Sequence, residues 1–324
     1  MKAAWYEKQG PAREVLVVGE MPDPIPAAGE VRIRIAASGV NPGDIKKRED
    51  AFGYGMPYPR VIPHSDGAGR VDQLGAGVPS EWMGRSVWCY GAQSYRPFGT
   101  AAEFTLVPVD QIARLPERVA MEQGACLGIP GITAHRAVHV AGSVNGGTVL
   151  VQGAAGSVGV CAVQLARLAG ARVIGTVRSP SDQATARNAG AHEVLISDKE
   201  LSSRVRALAP DGIDHIVEVA FGANIEANIE LLKLGGSIAS YATDNAAPKI
   251  PFWQMVFKNI RAFFLGSDDF PKEAKLEATR DLNAALEAGW PGFEIGERIP
   301  LADIARAHEL AEHTVRRGRI VVVL

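Results

Sequence analysis

The spacing of hydrophobic positions changes twice along the chain. Up to about residue 120, short segments alternate apolar and polar residues, as in Val31–Ala36, or run apolar between glycine turns, as in Arg85–Tyr90 and Ala101–Val107. Such segments predict half-buried strands. The many prolines and glycines between them favour a β-rich, partly open barrel over a parallel sheet.

A second pattern begins near residue 121, where Met121–Ile129 and Thr133–Ala141 show helical spacing. Short apolar runs then alternate with amphipathic segments, which predicts a parallel, doubly wound sheet with right-handed connections. The predicted strands are 149–152, Ala171–Thr176, Glu193–Ile196, His215–Val219, Gly236–Ser240 and, as a possible sixth, Ala262–Leu265. The predicted helices between them are Ser181–Ala189, Leu201–Leu208 and Asn224–Leu234.

The pattern changes again after residue 267. We predict helices over Lys272–Ala288 and Leu301–Arg317 and strands over Glu294–Ile299 and Ile320–Leu324. The predicted fold class is α/β, with a Rossmann doubly wound sheet inserted into the β-rich domain. The predicted boundaries are 1–122 for the β-rich domain, 123–266 for the Rossmann domain, and 267–324 for a segment that returns to the first domain.

Composition narrows the class of protein without naming a function. The chain has 324 residues, enough for two cores, and a formal net charge of -2, which argues against nucleic acid or an anionic membrane as a partner. No apolar run approaches the roughly 18–20 residues of a spanning helix. The first residues show no signal-peptide pattern, so we expect a cytosolic protein. Three scattered cysteines argue against a disulfide framework.

The clearest chemical motif is the segment Gln152–Gly159, which joins a predicted strand to a predicted helix. Gly156 and Gly159 match the last two glycines of the dinucleotide fingerprint G-x-G-x-x-G, while Ala154 replaces the first. Small residues let a pyrophosphate approach the backbone, and the helix N-terminus offers it unpaired N–H groups. The segment therefore predicts a dinucleotide site.

The end of the next strand indicates which dinucleotide binds. NAD sites usually carry an acidic residue there, but this chain has Arg178 and Ser179. A guanidinium suits a 2′-phosphate, so the residues favour NADPH. The alternative is that Arg178 is an ordinary solvated loop residue.

Several ordered motifs resemble one enzyme superfamily along essentially the whole chain. They are Ala36–Asp44, Pro63–Gly69, Leu127–Ala134, Gln152–Gly159, Asn188–Val194 and Gly318–Val322. The chain resembles the medium-chain dehydrogenases/reductases and, within them, the zinc-free quinone oxidoreductases of the zeta-crystallin type. The resemblance implies a GroES-like first domain and a homodimer that pairs the edges of two Rossmann sheets. Pro251–Phe257 could lie in that interface or in the core.

The resemblance also implies site residues. Asn41, Asp44 and Thr133 would be catalytic, although Asn41 could instead make a turn with Pro42 and Thr133 could cap a helix. Lys46–Arg48 is expected to be a solvated helix end. The residues implied to bind the cofactor are Asn41, Thr133, Gly153, Ala154, Ala155, Gly156, Ser157, Val158, Gly159, Arg178, Ser179, Ser197, Phe264, Leu265, Gly266 and Arg319.

No metal site is expected. Where the superfamily's alcohol dehydrogenases hold catalytic zinc, this chain has Asn41, Ser65 and Ile129. His64 lies beside one of these positions without an evident partner. His135 and His139 have the spacing of H-E-x-x-H, but the glutamate is missing, so we expect ordinary helix residues.

These observations lead to one main hypothesis and two alternatives. The main hypothesis is an NADPH-dependent quinone oxidoreductase that passes hydride or electrons to a quinone without a metal, because quinones accept hydride without a Lewis acid. One alternative is an NADPH-dependent reductase of the C=C bond of enones or enoyl thioesters. The other is a non-catalytic NADPH- or RNA-binding protein, as some zeta-crystallin relatives are.

Overall fold

The computed structural model describes residues 1–312 and 318–324. The last part of the helix predicted over Leu301–Arg317 therefore lies outside the described residues. The chain forms two compact units: Met1–Ile129 with Pro291–Leu324, and Pro130–Trp290. The second unit thus extends past residue 267, where the sequence had suggested a return, because the helix after that residue packs within the second unit.

Fifteen strands lie in the described residues. They are β1 (Lys2–Trp5), β2 (Val17–Glu20), β3 (Glu30–Gly39), β4 (Asp66–Leu74), β5 (Ser86–Cys89), β6 (Phe104–Pro108), β7 (Ile112–Arg114), β8 (Thr148–Val151), β9 (Arg172–Val177), β10 (Glu193–Ile196), β11 (Ile213–Glu218), β12 (Leu232–Ser240), β13 (Arg261–Phe264), β14 (Ile295–Pro300) and β15 (Arg319–Val323).

The α-helices of the same residues range from one turn to four. They are α1 (Ala12–Val15), α2 (Pro42–Arg48), α3 (Met121–Gly124), α4 (Gly128–His139), α5 (Ser157–Leu168), α6 (Gln183–Asn188), α7 (Leu201–Leu208), α8 (Phe221–Leu231), α9 (Phe252–Phe257), α10 (Lys272–Glu287) and α11 (Ile304–Glu312). None of these helices has the length and apolar character needed to cross a bilayer.

The second unit contains a six-stranded parallel sheet in the order β10-β9-β8-β11-β12-β13. Leu150 of β8 lies at its centre, in register with Ile174 of β9 and Ile216 of β11. All three side chains are buried in one apolar cluster with residues of α7 and α8. This strand order, with the first strand in the middle, confirms the predicted Rossmann fold, including its sixth strand.

The first unit is built around β3. Its N-terminal half pairs with β6, its C-terminal end pairs with β15, and its other edge pairs with β4 along most of its length. The sheet runs β14-β15-β3-β4-β5-β7, with β6 on β3. Gly39 of β3 lies opposite Val321, so the end of the chain completes a sheet that its beginning starts. The predicted β-rich first domain is thus confirmed.

Three alternatives that the sequence left open are ruled out by the structure. Asn41 and Pro42 begin the helix α2 and do not form an isolated turn, because proline at the first helical position has a suitable φ. Thr133 is not a helix cap, since α4 already begins at Gly128 and Pro130 is tolerated in its first turn; Thr133 is buried. The apolar segment Pro251–Phe257 is not core, because no residue of α9 is buried.

Candidate active site

The turn after β8 needs small residues at defined places. Gly153 has a φ of +68°, and a β-carbon at Gly159 would overlap the Gly153 carbonyl oxygen. Ala154, which replaces the first fingerprint glycine, is fully buried against Gly175 of β9, where a β-carbon would come within 2.8 Å of the Ala154 methyl. A glycine on the neighbouring strand therefore provides the space that this alanine requires.

The N-terminus of α5 follows directly from this turn. Residues Gly153–Gly159 comprise the turn and the first residues of α5, and Gly156 is the N-cap. The first turn of the helix contains no acidic residue. Its N–H groups and helix dipole therefore suit an anion, and the absence of β-carbons at Gly153, Gly156 and Gly159 lets that anion approach the backbone. The segment fits the pyrophosphate of a dinucleotide.

A buried polar network lies behind the turn. The Thr176 hydroxyl donates to the side-chain oxygen of Gln152 at 2.6 Å, and the Gln152 amide donates to Asn228 at 3.0 Å. The Asn228 amide donates in turn to the carboxylate of Glu218 at 2.5 Å. The Gly153 N–H donates to the Thr176 hydroxyl, so the network reaches the turn itself. This network was not predicted, although polar residues at the ends of buried strands could have indicated it.

Other predicted cofactor residues lie at the carboxyl ends of the parallel strands. Arg178 follows β9 and is exposed, with no side-chain partner among the described residues. The hydroxyl of Ser179 accepts the Ser181 N–H at 3.1 Å. Ser197 follows β10, and Phe264–Gly266 end and follow β13. The topology thus places these residues at the same edge as the glycine turn, where open α/β sheets bind ligands.

In the first unit, Asn41 is held from both ends of its side-chain amide. Its Nδ2 donates to Asp66 Oδ2 at 2.7 Å, and its Oδ1 accepts from Arg319 Nη2 at 2.8 Å. Asp66 Oδ2 also accepts the Ile129 N–H at 2.8 Å. Asn41, Asp66 and Arg319 are all buried, and we call them the Asn41 cluster. Because Asp66 accepts from the amide nitrogen and Arg319 donates to the amide oxygen, the orientation of the Asn41 amide is fixed.

Asp44 completes the start of α2. Its carboxylate accepts the Asn41 N–H at 2.7 Å, as in one half of a capping box. Burial raises the pKa of Asp44 to about 7, although this hydrogen bond lowers it and the nearby Asp66 raises it further. Asp44 therefore carries a proton in a large fraction of molecules near neutral pH, which an exposed aspartate does not.

The Asn41 cluster does not fit a catalytic zinc ion. Of the three positions that the resemblance assigns to zinc ligands, Asn41 has its amide oxygen on a guanidinium and Ile129 offers a backbone N–H donor to Asp66. The third, Ser65, has a buried hydroxyl without a hydrogen-bond partner in the described structure. An amide, a backbone donor and a neutral hydroxyl beside Arg319 are not a zinc ligand set.

His64 does have partners, all inside the first unit. Its Nδ1 lies 2.8 Å from the Ser38 hydroxyl, and its Nε2 lies 3.0 Å from His308 Nε2. The Ser38 hydroxyl is 2.7 Å from the Thr100 hydroxyl. Arg48 Nε donates to His308 Nδ1 at 3.3 Å. We call these five residues the histidine chain.

The hydrogen-bond direction along the histidine chain follows from its two ends. The Thr100 hydroxyl donates to the Asp66 carbonyl, so it must accept from Ser38. Ser38 therefore accepts from His64 Nδ1, and His64 Nε2 accepts from His308 Nε2. His308 Nδ1 is then free of a proton, as the donation from Arg48 requires. One neutral tautomer of each histidine satisfies every link.

Arg48 corrects the expectation of a solvated Lys46–Arg48 cluster. Its side chain is fully buried and donates to the Gly10 carbonyl and to the carboxylate of Glu312. A buried guanidinium needs such acceptors because removing it from water is costly. Arg48 is therefore a structural cation, and its charge also helps to lower the pKa of His308.

The chain is similar in sequence to two known domain families and to mammalian quinone oxidoreductases. Residues 27–117 match the alcohol dehydrogenase GroES-like domain, and residues 157–278 match the zinc-binding dehydrogenase family. Mouse quinone oxidoreductase is 33% identical over 310 residues, covering 93% of this chain and 91% of the mouse protein. Human quinone oxidoreductase is 30% identical over 329 residues, covering 98% of this chain and 96% of the human protein.

A solved structure agrees with these relatives. A mycobacterial protein complexed with NADPH is 26% identical, with a TM-score of 0.86 and all of both chains covered. The chain belongs to the zinc-free quinone oxidoreductase family of the medium-chain dehydrogenase/reductase superfamily. The chain is thus an NAD(P)H oxidoreductase with a nicotinamide cofactor and a small-molecule substrate.

We expect the protein to lose stability in acid because two residues of the histidine chain, His64 and His308, resist protonation in the folded state. Burial lowers the pKa of His64 to about 3 and that of His308 well below 6.5. As the pH falls from about 6.5 towards about 3, the unfolded state binds protons that the folded state does not. The free energy of unfolding therefore falls by up to about 1.4 kcal/mol per pH unit for each histidine.

Urea unfolding across this pH range tests the expectation. The double variant His64→Gln/His308→Gln should be less stable than the wild type at neutral pH but should lose less stability per pH unit on acidification. His192→Gln, which changes an exposed histidine whose Nδ1 accepts the Val173 N–H, is the control outside the histidine chain. Equal slopes for the wild type and the double variant would show that the two histidines take up protons in the folded state and would contradict this expectation.

Proposed function

We propose that the chain is an NADPH-dependent quinone oxidoreductase that uses no catalytic metal. The Asn41 cluster carries this proposal, because it places a guanidinium and amide donors where alcohol dehydrogenases need zinc ligands. Alcohol oxidation requires a Lewis acid to stabilise the alkoxide. A quinone is already a good hydride acceptor, so orientation and exclusion of water suffice. NADPH, when bound, supplies the hydride, and solvent supplies the proton.

The proposed cofactor contacts follow the carboxyl edge of the Rossmann sheet. The N–H groups at Gly153–Gly159 would bind the pyrophosphate. Arg178 and Ser179 would bind the 2′-phosphate, since Arg178 has no competing partner among the described residues. Ser197 and Phe264–Gly266 extend the same edge.

Asn41 of the first unit is a proposed reaction-centre residue. Asn41 keeps one Nδ2 hydrogen and one Oδ1 lone pair beyond its bonds to Asp66 and Arg319. Arg319, which was also expected to contact the cofactor, would act chiefly by fixing this amide. Thr133 would contribute its hydroxyl from α4. These groups orient the cofactor and substrate and need not transfer a proton.

Reduction of an enone or enoyl thioester remains the second candidate, because one observation favours it. Protonation of the carbon next to the carbonyl requires a positioned acid. Burial raises the pKa of Asp44 to about 7, so this carboxyl carries a proton in part of the molecules near neutral pH. A C=C reductase would therefore depend on Asp44 as an acid, whereas a quinone reductase would not.

The preference for NADPH is the first prediction. Replacing Arg178 with alanine removes a charged hydrogen bond to the 2′-phosphate, which contributes about 1.5–3 kcal/mol. We expect the KM for NADPH to rise about ten- to a hundredfold while the KM for NADH stays nearly unchanged. Arg206→Ala, which removes an exposed arginine paired with Glu230, serves as the control. Equal losses with both cofactors would refute this role.

The substrate class is the second prediction. NADPH oxidation should proceed with a series of quinones, should be slow with enones, and should survive a chelator. Asp44→Asn keeps an acceptor for the Asn41 N–H, so quinone reduction should largely persist. Selective loss of enone reduction in this variant would favour the second candidate. NADPH binding without turnover, together with salt-dependent RNA retention, would favour the non-catalytic alternative.

We also propose a homodimer formed through the edge strand β13. Among the described strands, β13 pairs only with β12, so its outer edge can accept a strand from a second copy. Beside it, Phe252, Trp253, Phe257 and Phe264 are all more than half exposed. An exposed aromatic patch next to an open sheet edge is typical of an interface between subunits.

Mass measurement in solution tests the dimer. Phe257→Glu places a charge in the aromatic patch and should shift the particle from two chains to one at micromolar concentration. Ile25→Glu changes an equally exposed apolar residue of the first unit and should not. A wild-type protein that stays monomeric at high concentration would contradict this assignment.

A further inference from the structure

Two helices of the second unit meet closely enough to bring their polar side chains together. Gly131 of α4 faces Leu282 of α10, and a β-carbon at Gly131 would come within 2.7 Å of the Leu282 side chain. His135 and His139 follow Gly131 at intervals of four residues, so all three lie on one face of α4. Asp281 precedes Leu282 on α10. The glycine contact thus places the two histidines beside Asp281.

The potential ligand atoms of these three residues lie close together. His135 Nε2 is 2.9 Å from Asp281 Oδ2, and the rings of His135 and His139 are 4.6 Å apart between centroids. One ligand atom from each residue lies within 4.8 Å of the other two. Around a tetrahedral zinc ion, with bonds of about 2.0–2.2 Å, neighbouring ligand atoms are about 3.4 Å apart. Small side-chain rotations therefore suffice to surround an ion.

The charge and exposure of the groups around the two histidines also suit a metal. Asp281 and Glu277, one turn apart on α10, supply negative charge. The His135 side chain is 5% exposed and that of Asp281 is 55% exposed, so one ligand is fixed by packing and another can adjust.

We propose that His135, His139 and Asp281 bind a divalent transition metal ion, with Zn²⁺ as the reference ion and solvent in the fourth position. Imidazole and carboxylate ligands favour zinc, nickel or copper over magnesium. All three ligand residues belong to the second unit. They are distinct from Asn41, Ser65 and Ile129 of the first unit, the positions at which the superfamily's catalytic zinc would be expected. Bound metal would link α4 to α10 and would thereby stabilise the helix that carries Thr133.

The missing glutamate of H-E-x-x-H does not weigh against this proposal. That glutamate is the general base of a metalloprotease and does not hold the ion. The third ligand here comes from a helix 146 residues away, so local spacing could not indicate it. The proposed role is binding and stabilisation, and no catalytic step depends on it.

Calorimetric titration of chelator-treated protein with Zn²⁺ tests the site. We expect one zinc ion per chain for the wild type and a loss of affinity of at least about tenfold in His139→Asn and in Asp281→Asn. His192→Asn, which changes an exposed histidine of the same unit, should bind like the wild type. Mg²⁺ should not compete. Saturating zinc should raise the melting temperature of the wild type but not that of His139→Asn.

The absorption spectrum of bound Co²⁺ is a second test of the site. Co²⁺ should give the visible absorption of a four-coordinate ion in the wild type and lose it in His139→Asn, which changes a partly exposed residue and should fold. If zinc binds equally to the wild type and to both ligand variants, or binds to none of them, the proposal is wrong. His135 and Asp281 would then form only the hydrogen bond that joins them.

Discussion

Burial of the Asp66 carboxylate constrains the polar interior of the first unit. An ion removed from water costs several kcal/mol unless donors compensate it, and Asp66 obtains them from the Asn41 amide and the Ile129 N–H. Gly128 must be glycine, because a β-carbon there would overlap the carboxylate. The Asp66 carbonyl accepts Thr100, the last member of the histidine chain. The beginnings of α2 and α4 therefore depend on one residue.

The second unit uses a buried carboxylate in a similar way. Glu218 ends β11, and it accepts the Ala220 N–H and the side-chain amides of Asn224 and Asn228. Asn228 passes this constraint to Gln152, the residue before the glycine turn. The shape of the proposed phosphate-binding turn thus depends on side chains behind it, and these restrict its backbone without facing the ligand.

Local sequence patterns predicted the strands and the class of sheet, because both depend on the spacing of apolar residues along the chain. The segment Glu193–Ile196 has the predicted strand bounds, and the alternation of strands and helices correctly predicted a parallel Rossmann sheet. The burial of Arg48 could not be predicted, because its partner His308 lies 260 residues away and two lysines precede it. The contact between His135 and Asp281 could not be predicted either, because 146 residues separate them in the sequence. Asn41 was ambiguous because an asparagine before proline suits both a turn and a helix start.

The fixed direction of the histidine chain has a consequence for proton movement. Proton conduction along hydrogen bonds requires every link to reverse its polarity after each passage, and the chain resets only if its terminal group can both give and take a proton. Arg48 is permanently charged and can only donate. The chain from Arg48 to Thr100 is therefore a row of hydrogen bonds that all point the same way, and it cannot relay a proton through Arg48.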